Sequence, residues 1–183
     1  MADEELVEEQ TEQEPVAEEA EPERLLPEQP LLAAIVEPHE SATWVAADDE
    51  WVVIVSADEY HSLAQAAKNN GFDTFIDLCG VDYYRARPRF EVVLTVLNYS
   101  EPMRLRIRSG AIGDEPKLDS VTDVYTGANF YEREAYDMFG IEFVGHPDLT
   151  RILMPDDWEG YPLRKDYAVG SVPIQFKDAP KVQ

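Results

Sequence analysis

Two neighbouring apolar segments constrain the fold of this chain more than any other feature. Residues 90–99 form a strongly apolar run of strand length, and residues 98–102 contain the Asn, Ser and Pro typical of turns. Beyond the turn, Met103, Leu105 and Ile107 alternate with arginines. A period of two places one set of side chains in the core and the other on the opposite face. The two segments therefore predict an antiparallel hairpin with a row of arginines on one face.

The arginine row, Arg104, Arg106 and Arg108, has two interpretations. It is either a solvated face that relieves the charge of an acidic protein or a contact patch for an acidic partner. Isolated exposed charges contribute little to stability, which favours the first interpretation. The sequence leaves the second one open.

A strand–helix unit precedes the hairpin. Residues 51–55 read as a buried strand, and Ser56 followed three residues later by Glu59 is typical of a capping box. Apolar residues then recur at helical spacing until Gly71 ends the helix. Residues 72–81 predict a further strand with a kink or bulge at Gly80. A strand, a helix and then consecutive strands predict an α+β fold, with a mixed, partly antiparallel sheet packed with helices.

The charge of the chain divides it into regions. Residues 1–30 hold twelve Asp and Glu residues against one arginine and have few apolar side chains, which predicts a disordered acidic tail. Such a tail either solubilises the protein or docks on a basic surface. Residues 31–149 are the predicted α/β domain, with a turn or two of helix at 31–36, and residues 150–183 are an extended arm.

Composition excludes several kinds of function. The chain carries a net charge of -23, and an acidic protein is a poor sequence-independent binder of nucleic acid. It lacks a run of about 18 apolar residues, so we expect contact with a membrane only through a partner. The one cysteine, Cys79, cannot form an intramolecular disulfide or a four-thiolate cluster within this chain, and we expect it in the core.

The segment from residue 130 to residue 139 predicts a helix that Gly140 ends. Asn129 precedes Glu132 by three residues, as in a capping box. Side chains two residues apart on a helix point in directions that differ by about 160° around the helix axis. Glu132 and Glu134 therefore point to opposite flanks and cannot form an acid–base pair. Glu134, Asp137 and Arg133 instead predict a charge network on the outer side of the helix.

The arm combines prolines and glycines with aromatic and arginine side chains, which are typical anchors of protein interfaces. It is too apolar for a free linker, so it wraps either its own domain or a neighbour. His146, which precedes a proline, reads as a structural residue in a turn. A hydrolase that uses His146 and Asp148 is a weaker alternative, because no nucleophile motif accompanies them.

Five short segments stand out in this region: ANFYERE at 128–134, YDMFGI at 136–141, GHPDL at 145–149, RIL at 151–153 and PLRKDY at 162–167. Over this span of about forty residues, their order and spacing resemble the 30-kDa subunit of respiratory complex I, which is the C-type subunit of the bacterial NADH:quinone oxidoreductase. A weaker resemblance extends back to about Trp44. The acidic tail is not covered.

The resemblance implies a peripheral structural subunit on the cytoplasmic side of the cell membrane. Its C-terminal arm would wrap the neighbouring 49-kDa subunit, which is of the D type and helps to form the quinone pocket. FMN and iron–sulfur clusters would belong to other subunits, so we predict no catalytic, cofactor-binding or metal residue in this chain. The equivalent subunit of a ferredoxin-linked or hydrogenase-type complex is the alternative.

The predicted partner-interface residues come from the helix, the turn and the arm. They are Glu132, Arg133, Glu134, Asp137, His146, Arg151, Trp158, Tyr161, Arg164, Lys165 and Tyr167. We also expect the isolated chain to be inactive and partly disordered beyond about Thr150.

Overall fold

The computed structural model describes residues 25–47, 50–111, 113 and 115–168. Residues 1–24 of the predicted disordered tail lie outside the described residues. The helices and strands follow in chain order: α1 (Pro30–Val36), β1 (Thr43–Ala47), β2 (Glu50–Val55), α2 (Ala57–Asn69), β3 (Thr74–Asp82), β4 (Phe90–Asn98), β5 (Met103–Ala111), β6 (Lys117–Asp119), α3 (Ala128–Phe139) and β7 (Glu142–Val144).

Five strands form the main sheet in the order β1-β2-β5-β4-β3. The predicted hairpin is confirmed, because β4 and β5 pair antiparallel with Phe90 opposite Ala111 and Asn98 opposite Met103. β2 pairs parallel with β5, whereas β1–β2 and β3–β4 are antiparallel. The sheet is therefore mixed, and the predicted α+β class is confirmed. The edge strand β1 was not predicted.

The hydrophobic core lies on one face of this sheet, between the strands and the helices. Val53, Leu94 and Ile107 are fully buried there, together with Tyr60 and Leu63 of α2. The apolar alternation along β5 explains this arrangement, because every second side chain enters the core. The opposite, outer face carries the three arginines of β5. Cys79 also lies on the outer face and is exposed, so its predicted place in the core is wrong.

Several local predictions need correction. Ser56 does occupy the N-cap of α2 but makes no side-chain capping bond, and the Glu59 carboxylate instead accepts hydrogen bonds from the backbone N–H and hydroxyl of Ser41. The register of β3 and β4 shifts between Phe75 and Asp77, so the predicted irregularity at Gly80 is misplaced. A Cβ at Gly80 would lie 2.8 Å from the Phe139 ring, so glycine allows α3 to pack closely on β3.

A second, two-stranded sheet lies beside α3. β7 follows the end of α3 and pairs parallel with β6, a strand that was not predicted. Residues 150–168 contain no regular helix or strand, as expected from their prolines and glycines. They follow the C-terminal half of α3 and the end of β3 through the contacts described next.

Candidate assembly surface

Helix α3 begins differently from the way its sequence suggests. It starts at Ala128 after Gly127, without a side-chain cap, so the predicted capping box of Asn129 and Glu132 is wrong. Its end is as predicted, because Gly140 adopts the left-handed conformation (φ 72°). A Cβ at Gly140 would lie 2.5 Å from the Tyr161 ring, which is a second reason for glycine there.

Glu132 is fully buried inside the domain. Its carboxylate accepts hydrogen bonds from the Ser120 hydroxyl (2.7 Å) and the Val121 backbone N–H (2.8 Å), both in the segment that follows β6. Burial raises the pKa of Glu132 to about 7, although these two hydrogen bonds oppose the shift. The carboxyl group therefore fixes the loop before α3 rather than the first turn of its own helix.

Asp137 is also fully buried, so its predicted place on the outer side of α3 is wrong. One oxygen, Oδ2, accepts three consecutive backbone N–H groups, those of Ile152 (3.1 Å), Leu153 (2.8 Å) and Met154 (2.9 Å). The other, Oδ1, accepts the Arg151 guanidinium at 2.6 Å. Burial alone would raise the pKa of Asp137, but these bonds outweigh it and the pKa is lowered. A single carboxylate thus shapes four residues of the arm.

Arg133, one turn before Asp137, holds the preceding part of the arm. Its guanidinium donates to the backbone oxygens of Thr150 (3.0 Å) and Arg151 (3.1 Å). Arg133 and Asp137 therefore act on the arm and not on each other. We call Arg133, Asp137 and Arg151 the α3 clamp.

A second group of charges, which we call the β3 clamp, holds the far end of the described arm. Arg89 donates to both oxygens of Asp82 (3.0 and 2.9 Å) and to both oxygens of Asp166 (3.0 and 2.7 Å). Asp82 also accepts the Lys165 backbone N–H at 2.8 Å. The Arg89 guanidinium, with help from backbone N–H groups, lowers the pKa of Asp82 to about 2. Sequence reasoning did not select these three residues, because Arg89 and Asp166 are far apart along the chain.

Between the two clamps, the arm closes the end of α3. The Leu163 N–H donates to the Met138 oxygen (3.1 Å), and the Arg164 guanidinium donates to the Phe139 oxygen (2.6 Å). The Arg164 guanidinium also lies 4.5 Å from the centroid of the Tyr161 ring. These contacts satisfy carbonyls that a helix end leaves without intrahelical partners.

The remaining predicted interface residues are spread over the surface. Glu134 is exposed on α3, on the flank opposite buried Glu132, as the geometry of the helix predicted. Both ring nitrogens of His146 are engaged within the chain, by the Asn129 oxygen (3.1 Å) and the Asp148 N–H (3.1 Å). Trp158 is half-buried, and the Tyr167 hydroxyl donates to the Glu159 oxygen.

The structure therefore brings together about half of the predicted partner-interface residues. Arg133, Asp137 and Arg151 meet in the α3 clamp, and Tyr161 and Arg164 meet at the end of α3. Lys165 joins the β3 clamp only through its backbone. Their role as contacts to a partner stays a prediction, because the bonds described here all lie within this chain.

The described part of the chain offers little that resembles a reaction centre. A cavity of about 570 Å³ separates the arm from β6 and β7, with Tyr136, Tyr161 and Arg164 facing Glu115 and Glu142. Within residues 25–47, 50–111, 113 and 115–168, no three His, Cys, Asp or Glu side chains converge as metal ligands. None of the helices in these ranges is long and apolar enough to cross a membrane.

Two solved structures share the fold of this chain. A chain of the membrane-bound sulfane sulfur reductase, an archaeal respiratory membrane complex, matches with a TM-score of 0.66 over 81% of this chain and 94% of that chain. At 22% identity, this likeness shows the fold alone. A trypsin-resistant fragment (1–134) of Nqo5 matches at 32% identity, with a TM-score of 0.55, over 59% of this chain and 89% of that one.

The family model described as "Respiratory-chain NADH dehydrogenase, 30 Kd subunit" matches residues 53–172, and the chain belongs to this family. The C-type subunit of the NADH-quinone oxidoreductase of Roseiflexus castenholzii is 50% identical over 100 residues, which cover 55% of this chain and 58% of the relative. The C-type subunit from Saccharopolyspora erythraea is 40% identical over 147 residues, covering 78% and 59%. The chain thus spans less than two thirds of the length of these relatives.

Proposed function

We propose that this chain is a structural subunit of the peripheral arm of a proton-translocating NADH:quinone oxidoreductase. In this assembly, electrons pass from NADH through FMN and iron–sulfur clusters to quinone, and all of these cofactors belong to other subunits. The chain itself carries no catalytic centre and meets the cytoplasmic side of the membrane only through the complex. Its family and its likeness to the C-type subunits of such enzymes support the proposal.

The observation that carries the proposal is the way in which the arm is held. The α3 clamp fixes the backbone of residues 150–154 through hydrogen bonds, which leaves their apolar side chains outside. Leu153 is 58% exposed, Leu163 is 53% exposed and Phe130 on α3 is 61% exposed. A rigid backbone that presents large apolar side chains to solvent is typical of a preformed protein interface.

We infer that the partner on this surface is the 49-kDa subunit. Binding costs less when the interface segment is already ordered, because less conformational entropy is lost. The two clamps supply that order for residues 150–168, and the arm beyond them would continue onto the partner. Under this proposal, the chain supports the quinone site without contributing a reacting group.

Limited proteolysis of the full chain tests this proposal. Trypsin sites follow Arg151, Arg164, Lys165, Lys177 and Lys181 along the arm. We expect the co-expressed 49-kDa subunit to slow cleavage at these sites while cleavage after Arg85, in the exposed β3–β4 connection, is unchanged. Equal cleavage of the arm with and without the 49-kDa subunit would contradict the wrapping proposal.

The alternative is the equivalent subunit of a ferredoxin-linked or hydrogenase-type complex. The same arm would serve there, so the geometry of this chain does not separate the two. Purification of the native complex through this chain decides between them. An NADH-oxidising flavin subunit in the purified complex supports the oxidoreductase, and its replacement by a hydrogenase or ferredoxin-binding subunit supports the alternative.

A further inference from the structure

The carboxyl group of Glu132 is buried without a cationic partner among the described residues. Its two donors, the Ser120 hydroxyl and the Val121 backbone N–H, are both neutral. The Tyr60 hydroxyl of α2 is also fully buried and has no hydrogen-bond partner within the described part of the chain. Ionising a carboxyl group in such surroundings is costly, because little replaces the water that would solvate the charge. The fold around Glu132 therefore favours its protonated form.

Glu132 lies one hydroxyl group away from a cavity at the surface. The Ser120 hydroxyl donates to its Oε2 atom and lies 2.9 Å from the Thr122 hydroxyl. Ser120 and Thr122 line a cavity of about 330 Å³, together with His61 and Asp123. A displacement of the segment that carries these hydroxyl groups therefore lets water from the cavity reach the carboxyl group.

The segment between β6 and α3, residues 120–126, separates Glu132 from this cavity. It contains no regular helix or strand, so it can move while the flanking elements stay intact. The side chains of Val121 and Val124 hold it to the core, where both are buried. On the outside, Asp123 contacts His61 of α2 at 3.0 Å, and the Asp123 side chain is 68% exposed. Opening of the segment therefore exposes two valine side chains and releases both donors of Glu132.

We propose that residues 120–126 form a proton-linked latch, which opens towards the cavity more often when Glu132 is ionised than when it is protonated. The proton that Glu132 loses passes to water in the cavity, and in the open form water replaces the two protein donors around the carboxylate. Exposure of Val121 and Val124 opposes opening, so the open form stays a minor population. The charge state of one buried side chain thereby sets how often this segment opens.

Several titratable groups lie on the elements around Glu132. They are Tyr60, His61 and Lys68 of α2, Asp119 of β6, Asp123 and Tyr125 of the latch, Arg133 and Glu134 of α3, and His146 of the turn after β7. Burial raises the pKa values of Tyr60 and Tyr125, which keeps both hydroxyl groups neutral near pH 7. Burial is also the largest influence on the pKa of Glu132, whereas the charge of Asp123 raises that pKa further and the charge of His61 lowers it. Protonated His61 also attracts Asp123, so the effects of the two groups must be separated by experiment.

Hydrogen exchange of the full chain over a range of pH tests the latch. The amides of Val121, Val124 and Tyr125 donate hydrogen bonds inside the closed structure. Because the pKa of Glu132 is about 7 in the closed form and 4.5 in water, opening should increase about tenfold per pH unit between these values and level off above pH 7. After correction for intrinsic exchange rates, protection of the three amides should fall about 300-fold over this window. Protection that does not change with pH would overturn the proposal.

Urea separates opening of the latch from unfolding of the whole domain. Low urea concentrations should leave the exchange of the latch amides unchanged, because opening of a short segment exposes little new surface. The amides of Leu94 and Ile107 in the main sheet should accelerate under the same conditions, since they exchange through global unfolding. Latch amides that accelerate in parallel with Leu94 and Ile107 would contradict a local opening.

Three variants assign the effect to Glu132. Glu132→Gln removes the ionisable group and should keep high protection of the latch amides at every pH. His61→Gln and His146→Gln are the controls, because each removes a titratable ring near the latch and leaves Glu132 in place, and both should retain the wild-type dependence on pH. A dependence that persists in Glu132→Gln, or that disappears in either histidine variant, would refute the latch. The pH and urea series on the wild type decide the question if Glu132→Gln does not fold.

Discussion

Glu132 and Asp137 lie five residues apart on the same helix, and both side chains are fully buried, yet their pKa values shift in opposite directions. Burial dominates at Glu132, where two hydrogen bonds are too few to hold the charge, and its pKa rises to about 7. At Asp137, three backbone N–H groups and a guanidinium outweigh burial, and its pKa falls. The number of donors decides the charge state of each carboxyl group.

Glu132 and Asp137 also connect α3 to different parts of the molecule. Glu132 joins α3 to the loop before it and belongs to the interior of the domain. Asp137 joins α3 to the arm, and its charge is part of that connection. Replacing each carboxyl group should therefore affect different parts of the molecule, at different pH values.

The largest effect is expected for Asp137→Ala. It leaves three backbone N–H groups and a partly buried guanidinium without their acceptor, and breaking a buried ion pair costs about 3–5 kcal/mol. Urea denaturation should show this loss, and hydrogen exchange at residues 152–154 should accelerate. Asp148→Ala, at an exposed position outside the clamp, is the matched control. Unchanged exchange in Asp137→Ala would show that the carboxylate does not hold the arm.

Glu132→Gln should alter the dependence of stability on pH. Because the folded pKa of about 7 lies above the usual 4.5, the folded state binds more protons between these values, so this group lowers stability as the pH rises through that window. The full shift corresponds to about 3 kcal/mol. The variant should lose this slope and should exceed the wild type in stability above pH 7. Glu134→Gln, at an exposed position on the same helix, should keep the slope, and an unchanged slope in Glu132→Gln would refute this assignment.

Arg89→Gln tests the β3 clamp at the other end of the arm. It removes the hydrogen bonds to Asp82 and Asp166, and charged hydrogen bonds contribute about 1.5–3 kcal/mol. The pKa of Asp82 should rise from about 2 towards its usual value. In the wild type, the β3 clamp stabilises the fold at neutral pH, and this stabilisation is lost as the pH falls from about 4 towards 2. In Arg89→Gln, the stabilisation should already be absent at neutral pH. Arg87→Gln is the control, and equal unfolding free energies for the two variants would contradict the clamp.

The smallest effect is expected for Arg133→Ala. Its side chain is half-buried and donates two hydrogen bonds to carbonyls that water can also reach, so the loss should be about 1 kcal/mol. Proteolysis after Arg151 should accelerate severalfold, and the thermal unfolding midpoint should fall by only about 2–4 °C. A loss as large as that of Asp137→Ala would mean that the two residues act as one unit, which the separate bonds do not suggest.

The sequence predicted the parts of the fold that depend on local patterns. The alternation in β5 and the glycine that ends α3 are signals within a few residues, and both were correct. The capping box at Asn129 failed because a more distant loop binds the Glu132 carboxylate. The role of Asp137 could not be read locally, since its donors lie 14 to 17 residues later in an irregular segment. Similarly, β6 has only three residues and exists through pairing with β7.

The central claim is that the α3 clamp prepares the arm to hold a partner, and assembly measures it most directly. Full-length Asp137→Asn, produced with the other subunits, should recover much less of the 49-kDa subunit on affinity purification than the wild type or Glu134→Gln does. The complexes that do form should keep a normal rate of quinone reduction per complex. Normal recovery of the 49-kDa subunit together with a reduced rate would contradict the account, because Asp137 would then act in the reaction rather than in assembly.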